Sequence, residues 1–339
     1  MLRKFITTTL MAAAITAVPA QAETKLLFNV FVPPGHFMHE VLKGWAQDVE
    51  KVTESRVDIE FAAGSLAPPP QQLQGVASGV FDVAFAINPT IKSKAPLLEV
   101  SSLPWLVSDA EAASVAAWRI YEKHFASRNQ FPDVHLLSVF NFSGGQLYST
   151  TDTPINSLDE LKSRKMWALY GESADLLKNL GISPITSPAV QVSGSVSRGV
   201  VNGYFGLILE SVIDFKTAPY TKSITLFPLG VTSSGFSMFI NKRKWGSISE
   251  ADRNAIMKLS GEALAQRVGK ASKAASAAAL SQLKADGIQV IEADPQFYAE
   301  LERAATPSYE QFERTAEKAG LDGKAVLADF RKEYDALAK

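Results

Sequence analysis

The longest helical pattern in the chain is residues 249–287, SEADRNAIMKLSGEALAQRVGKASKAASAAALSQLKADG. Ser249 and Asp252 are spaced as in a capping box, which marks a helix start, and Gly287 is a natural stop. A continuous helix over about 249–286 would be roughly 55 Å long at about 1.5 Å per residue, longer than one small lobe. We therefore expect a single helix that lies along two lobes.

Two alternatives to a single helix stay open. Gly261 or Gly269 could divide it into two helices, and its length would also suit a coiled coil. Its centre, residues 270–279, is mostly Ala with Ser and Lys, but Ala favours helix too strongly for this composition to indicate disorder.

Elsewhere, short apolar runs alternate with amphipathic helical patterns, which is typical of an α/β architecture. Residues 41–52 place apolar side chains on one helical face. Residues 80–87 are largely apolar, which predicts a strand buried on both faces. The predicted strands are residues 26–32, 57–61, 80–87, 134–140, 165–169, 200–209 and 236–241.

Residues 1–22 have the pattern of a secretory signal, with Arg3, Lys4, an apolar run and the small-x-small site Ala20-Gln21-Ala22. The apolar run is too short to cross about 30 Å of hydrocarbon. Loss of these 22 residues from 339, with their two basic side chains, leaves 317 residues, 32 basic and 35 acidic side chains and a net charge of −3. We expect a soluble periplasmic protein with no bulk attraction for nucleic acid or anionic lipid.

The sequence gives little support for catalysis or for a cofactor. It has no cysteine, which excludes thiol nucleophiles and thiolate metal sites. No Gly-x-Ser-x-Gly, P-loop or Gly-x-Gly-x-x-Gly motif occurs. His36 and His39 are spaced i, i+3, but no third ligand accompanies them, so we expect a solvated or lobe-facing pair rather than a metal site. A secreted lyase or hydrolase would need a paired acid and base in a cleft.

A series of motifs resembles the solute receptors of the tripartite ATP-independent periplasmic (TRAP) transporters. Their order and spacing, rather than any single motif, make the resemblance specific. They are GSL at 64–66, VASGVFD at 76–82, LPW at 103–105, PI at 154–155, LDELK at 158–162, KMWA at 165–168, GVVNG at 199–203 and FIN at 239–241.

The resemblance implies two α/β lobes of the Venus-flytrap kind, with the chain passing between them more than once. Lobe I would contain residues 23–143 and 232–271, and lobe II residues 144–231 and 272–339. The resemblance also implies a non-catalytic receptor that closes on a small organic solute and delivers it to the TRAP membrane permease. A sensor receptor that presents its ligand to a membrane kinase would have the same sequence features.

Three polar positions of the family's binding pattern are altered. Trp167 stands where the family has an Arg that clamps a carboxylate, Gly206 replaces a binding Asn, and residues 188–191 lack the family's Glu. An indole offers one neutral N–H and a face suited to an organic cation. We therefore expect an amine, an amino alcohol or a neutral polar solute. The alternative is a carboxylate held by another cation, such as Lys92 or Arg119.

In a two-lobed receptor the ligand lies in the crevice at the carboxyl ends of strands. Glu210 follows a predicted strand and could pair with a ligand ammonium, or it could be a first-turn Glu that the helix dipole favours. For each aromatic residue, packing in the core is the alternative to ligand contact. The predicted ligand-binding residues are Trp167, Phe142, Glu210, Phe31, His36, Gly206, Tyr170 and Phe205.

Overall fold

The computed structural model describes residues 24–128 and 130–338. Within these ranges the chain forms eleven strands in two sheets. The strands are β1 (Thr24–Asn29), β2 (Val57–Phe61), β3 (Val83–Ile87), β4 (Val134–Gly144), β5 (Gln146–Ser149), β6 (Met166–Ala168), β7 (Ile185–Thr186), β8 (Gly203–Leu207), β9 (Ser223–Leu226), β10 (Ser233–Asn241) and β11 (Gln289–Glu292).

Helices surround both sheets. The α-helices of the described ranges are α1 (Met38–Val52), α2 (Gln72–Ser78), α3 (Asn88–Ile91), α4 (Ala110–Ile120), α5 (Leu158–Lys162), α6 (Glu172–Asn179), α7 (Val192–Ser197), α8 (Leu209–Asp214), α9 (Lys242–Ser247), α10 (Glu250–Leu259), α11 (Gly261–Ala285), α12 (Pro295–Ala304), α13 (Thr306–Lys318) and α14 (Gly323–Leu337). A 3-10 segment, Pro96–Ser102, precedes α4, and a π-helical turn, Tyr121–Phe125, follows it.

The two sheets are built from interleaved parts of the chain. The first has the strand order β2-β1-β3-β10-β4, and the second has the order β11-β9-β5-β8-β6-β7. The chain leaves the first sheet at Gly144, enters the second at Gln146, and returns to the first at Ser233. It therefore crosses between the sheets more than once, as the sequence predicts.

Burial follows the sequence patterns closely. All five residues of β3 are buried, in agreement with the prediction of a strand covered on both faces. In α1, the predicted inner face is buried at Val41, Leu42, Trp45 and Val49, whereas Val52 at the end of the helix, predicted on the same face, is exposed. The predicted helix start at Ser249 is also observed, because its side chain caps α10, and Ser157 caps α5 in the same way.

The long helix is bent, and the expectation of an uninterrupted helix is corrected. α10 ends at Leu259 and α11 begins at Gly261, which has a φ of +50°. A Cβ at Gly261 would lie 3.0 Å from the ring of Trp118, so packing against α4 fixes the bend at a glycine. The sequence had offered Gly261 as one possible break. α11 still contacts β4 of the first sheet and α8 beside the second, so it bridges the two.

The predicted signal sequence, residues 1–22, lies outside the described residues. In the part of the chain that is described, no helix combines the length and apolar character needed to cross a membrane. That same part contains no group of three or more acidic or histidine side chains placed to hold a metal ion.

Candidate functional site

A cavity lies between the two sheets, near the ends of their strands. About 50 Å³ of it is accessible to the centre of a water molecule, and the surrounding empty space, which includes open solvent, is about 500 Å³. The wall on the side of the first sheet includes Phe31, Val32, His36, Ile87, Phe142 and Phe236. The wall on the side of the second sheet includes Leu169, Tyr170, Gly206, Leu207, Ser211 and Phe215. We call this space the crevice cavity.

The structure brings five of the eight predicted ligand-binding residues together at this cavity. These five are Phe31, His36, Phe142, Tyr170 and Gly206. They converge because each lies near or just beyond the end of a strand that points toward the crevice. The other three do not line the cavity. Ligand contact by any of the eight stays a prediction.

Aromatic rings cover much of both walls. The ring centroids of Phe142 and Phe236 are 4.2 Å apart, and Phe37 meets Phe142 edge-on at 5.0 Å. Across the cavity, the rings of His36 and Phe215 are 6.2 Å apart and nearly parallel. Walls of this kind favour a flat apolar ligand, which can make offset-stacked and edge contacts with them.

His36 supplies a neutral hydrogen-bond donor. Its side chain is 2% exposed, and burial, with a smaller contribution from His39, lowers its pKa to about 3. The ring is therefore uncharged at neutral pH. Nδ1 accepts the backbone N–H of Met38 at 3.2 Å, so the ring proton lies on Nε2. Among the described residues Nε2 has no hydrogen-bond partner, and it is available to a ligand oxygen.

Three hydroxyl groups are further hydrogen-bond donors in the cavity, beside His36. Ser211, Ser234 and Tyr170 line the cavity, and their hydroxyls make no hydrogen bond to any residue that the structure describes. Burial raises the pKa of Tyr170, so its phenol stays protonated. The polar atoms of the cavity can therefore donate hydrogen bonds without bringing a net charge.

Gly206 shapes the wall where β8 meets α8. Its φ is +84°, in the left-handed region that favours glycine, and a Cβ there would lie 2.2 Å from Ser173 Oγ. The position therefore requires glycine for backbone geometry and for space. An Asn at this position would need a different local backbone and a displaced Ser173 side chain.

Trp167 and Phe205 lie in the core. Side chains alternate along a strand, and Trp167 in β6 packs in a different cluster from Met166 and Ala168 on either side of it. Its side chain is fully buried, and Nε1–H donates to Ser187 Oγ at 3.0 Å. Phe205 is also fully buried, in the cluster that contains Met166. For both residues the geometry favours the core alternative.

Glu210 is buried behind the cavity wall. Its carboxylate accepts hydrogen bonds from Ser272 Oγ at 3.2 Å and from Ser276 Oγ, both on α11. Burial raises the pKa of Glu210 to about 7, although the two serine hydroxyls oppose the shift. The carboxylate is thus engaged by the bridging helix, and the sequence did not anticipate these partners.

Sequence reasoning missed Ser211, Ser234 and Phe215. Ser211 and Phe215 belong to the turn and helix that follow β8, and the sequence argument stopped at Glu210 as the last pocket position. Their spacing of four residues places them on one face of a helical segment, a signal that could have extended the prediction. Ser234 lies in β10, whose start was predicted three residues too late.

A family model described as "Bacterial extracellular solute-binding protein, family 7" matches residues 28–315, which is most of the chain. The chain belongs to this family. It is a TRAP solute-binding protein, as the sequence motifs predicted, and such receptors bind small solutes and work with a membrane permease. The outer membrane transporter protein TsaT of Comamonas testosteroni is 33% identical over 329 residues, which cover 97% of each chain.

Solved TRAP receptors share the two-lobed fold. A periplasmic solute-binding protein from Bordetella bronchiseptica, with bound (R)- and (S)-mandelate, is 27% identical with a TM-score of 0.87, covering 92% of this chain and 99% of that one. A marine metagenome receptor specific for aromatic acid ligands, in complex with 3-hydroxybenzoate, is 25% identical with a TM-score of 0.85. That match covers 94% of this TRAP receptor and 100% of the metagenome chain.

Proposed function

We propose that this TRAP receptor captures a small aromatic acid in the periplasm by closing its lobes, and that it passes the solute unchanged to its permease. The observation that carries the proposal is the crevice cavity, which combines aromatic walls with neutral hydrogen-bond donors. A ring would replace water against the phenyl groups, while the acid oxygens would face the His36 N–H and the hydroxyls of Ser211, Ser234 and Tyr170.

The ligands of the relatives support a ligand that combines an aromatic ring with an acid group. The Bordetella receptor holds mandelate, and the metagenome receptor is specific for aromatic acids. Among the described residues, no Asp, Glu, Lys or Arg side chain lines the crevice cavity, so an ammonium would lack a counter-charge, and a carboxylate would depend on the neutral donors alone. Glu210, which the sequence suggested for that role, is engaged by α11. The preference for an amine or amino alcohol therefore finds no support.

A second candidate keeps the acid but adds a cation. A recess adjoins the crevice cavity and shares Leu169 and Tyr170 with it, but only about 10 Å³ of it is accessible to the centre of a water molecule. Glu172 lines the recess, and its Oε1 is 3.3 Å from Lys92 Nζ. An acid would reach Lys92 only if the recess widened, and it would then compete with Glu172. Arg119 is a weaker choice, because Glu262 and Glu333 already engage its guanidinium.

The lobes that would close are the ranges given by the sequence: 23–143 with 232–271, and 144–231 with 272–339. The first sheet falls within the former set apart from the last residue of β4, and the second sheet falls within the latter. Ligand binding should therefore reduce the radius of gyration in small-angle scattering. A receptor that presents its ligand to a membrane sensor would compact in the same way, and loss of uptake on deleting the permease distinguishes transport from sensing.

Thermal shift and calorimetry with four probes test the ligand class. We expect 3-hydroxybenzoate and mandelate to bind, whereas 2-phenylethylamine, which has the ring but the opposite charge, and succinate, which has acid groups but no ring, should not. At 100 times its dissociation constant a ligand adds about 2.7 kcal/mol of apparent stability. Ser211→Ala should weaken binding, and Ser281→Ala, on the exposed face of α11, serves as the matched control. Preferential binding of the amine would overturn the proposal.

A further inference from the structure

Helix α8 has one side on the crevice cavity and another on the bridging helix. Ser211 in α8 and Phe215 directly after it line the cavity. Glu210, next to Ser211 in the sequence, points to α11 instead and is 5% exposed. The position of this short helix therefore sets one wall of the cavity, and Glu210 is its polar anchor.

The anchor consists of one carboxylate and two hydroxyls. Ser272 Oγ donates to Oε1 of Glu210 at 3.2 Å, and Ser276 Oγ donates to Oε2. Ser272 and Ser276 are four residues apart, so they lie on the same face of α11. Both are buried. Each carboxylate oxygen thus has its own donor from one helix face.

The same serine also contacts the other wall. The backbone N–H of Ser143 donates to Ser272 Oγ at 2.9 Å. Ser143 lies where β4 leaves the first sheet and directly follows Phe142, which lines the cavity. A continuous set of hydrogen bonds therefore runs from Ser143, next to Phe142, through Ser272 on α11 to Glu210 on α8, at the place where the chain crosses between the sheets.

We propose that Glu210 is a positioning residue of this receptor: by holding α8 on α11, it fixes Ser211 and Phe215 relative to Phe142 and so sets ligand affinity without touching the ligand. A stabilising role alone does not account for the arrangement, since an apolar side chain of similar volume usually serves stability as well as a buried charge or better. A carboxylate with two fixed donors specifies a distance and an orientation, which an apolar contact does not.

The ionised carboxylate is the form that accepts both serine hydrogen bonds. Burial raises the pKa of Glu210 to about 7, so protonation occurs near neutral pH. The charged or titratable groups around it are Asp214 on its own helix and Tyr148 on β5, while α11 presents the two serines. His36, with a pKa lowered to about 3, does not titrate in this range, whereas burial raises the pKa of Asp214 to about 6, so Asp214 takes up a proton at its lower end. Affinity should therefore fall as the pH falls from 8 to 6.

The test compares wild type with Glu210→Gln and Glu210→Met. Calorimetric titration with 3-hydroxybenzoate, whose carboxylate stays ionised throughout, is run at pH 6 and pH 8. We expect each substitution to weaken binding about tenfold at pH 8, the scale of one hydrogen bond to a charged group. Each should also remove most of the pH dependence, leaving only the contribution of Asp214 near pH 6. Ser281→Ala should behave as wild type. Glu210→Met should keep the wild-type melting temperature, which separates positioning from stability.

Hydrogen exchange of residues 206–215 without ligand provides a readout that does not depend on the ligand class. We expect faster exchange there in both Glu210 variants, with exchange in β3 unchanged. The inference rests on the proposed function only for the choice of probe. If wild type binds none of the probes, the proposed ligand class fails, and the exchange rates still decide the role of Glu210. Unchanged exchange, or a wild-type pH profile in Glu210→Gln, would overturn it.

Discussion

Glu210 and Glu99 are both buried acids, but their surroundings differ. Burial is the main cause of the raised pKa of each, which reaches about 7 for Glu210 and about 8 for Glu99. Glu210 has two hydroxyl donors on α11. Neither carboxylate oxygen of Glu99 has a hydrogen-bond partner among the residues that the structure describes. The donors hold the Glu210 carboxylate in one geometry, whereas Glu99 has no such donors and stays in the neutral, protonated form.

The comparison shows what the hydrogen-bond donors change. Hydroxyl donors favour the ionised form and partly offset the desolvation of Glu210. For Glu99 the opposing influence is the charge of Lys92, which makes no hydrogen bond to Glu99 and pairs with Glu172 at 3.3 Å. Glu210 can therefore specify a position near neutral pH, whereas Glu99 links protein stability to pH.

The largest expected effect is on the pH dependence of stability, through Glu99. The folded state holds a proton on Glu99 up to about pH 8, whereas the unfolded chain releases it near the ordinary value of 4.5. The free energy of unfolding should therefore decrease as the pH rises, by up to about 1.4 kcal/mol per pH unit. Glu99→Gln should remove the contribution of Glu99 to this slope, as measured by urea unfolding at several pH values between 5 and 8.

Measurements between pH 7 and 8 distinguish the contributions of Glu99 and Glu210 to the pH dependence of the unfolding free energy. Glu210 is about half ionised at pH 7 and almost fully ionised by pH 8, whereas Glu99 is only half ionised near pH 8. Glu99 therefore dominates the slope above pH 7, and Glu210→Gln should change the slope mainly below pH 7. Equal slopes for wild type and Glu99→Gln above pH 7 would show that Glu99 is already ionised in the folded protein, and the contrast between the two acids would be wrong.

The next effect concerns the donors of Glu210. Ser276→Ala leaves Oε2 of a buried carboxylate without its hydrogen bond, which should cost about 1–3 kcal/mol of unfolding free energy. The loss should be larger at pH 8 than at pH 6, because the ionised form needs the donor more. Ser281→Ala removes a hydroxyl from the exposed side of the same helix and should stay within about 0.5 kcal/mol of wild type. A loss independent of pH would mean that Ser276 matters only for packing.

Most of the architecture was predictable because local patterns and global packing agree. The apolar run that became β3 and the apolar face of α1 are periodic signals that the fold preserves. The bend at Gly261 was not decided by local sequence, since it depends on the ring of Trp118 from another helix. The helical pattern continues through this position, and only tertiary contact selects between one helix and two.

The site was predicted in part, for a related reason. Residues at strand ends, such as Phe31 and Phe142, reach the cavity because strand direction alone carries them there. For Trp167 the face of the strand matters as well, and a motif position does not determine which face a side chain occupies. The partners of Glu210 come from α11, more than 60 residues later in the chain. No local signal connects them.

The smallest expected change in unfolding free energy is that of Lys92→Met, which also tests what sets the pKa of Glu99. The Lys92 side chain is 39% exposed and that of Glu172 is 7% exposed, so Lys92→Met should cost only about 1 kcal/mol at low ionic strength, and the cost should shrink in salt. The same substitution removes the positive charge that lowers the pKa of Glu99.

The decrease of the unfolding free energy with rising pH should therefore extend to higher pH in Lys92→Met than in wild type. Glu99→Gln in the Lys92→Met background is the control, because it should remove the extension. A slope that ends at the same pH in both proteins would show that Lys92 acts on Glu172 alone.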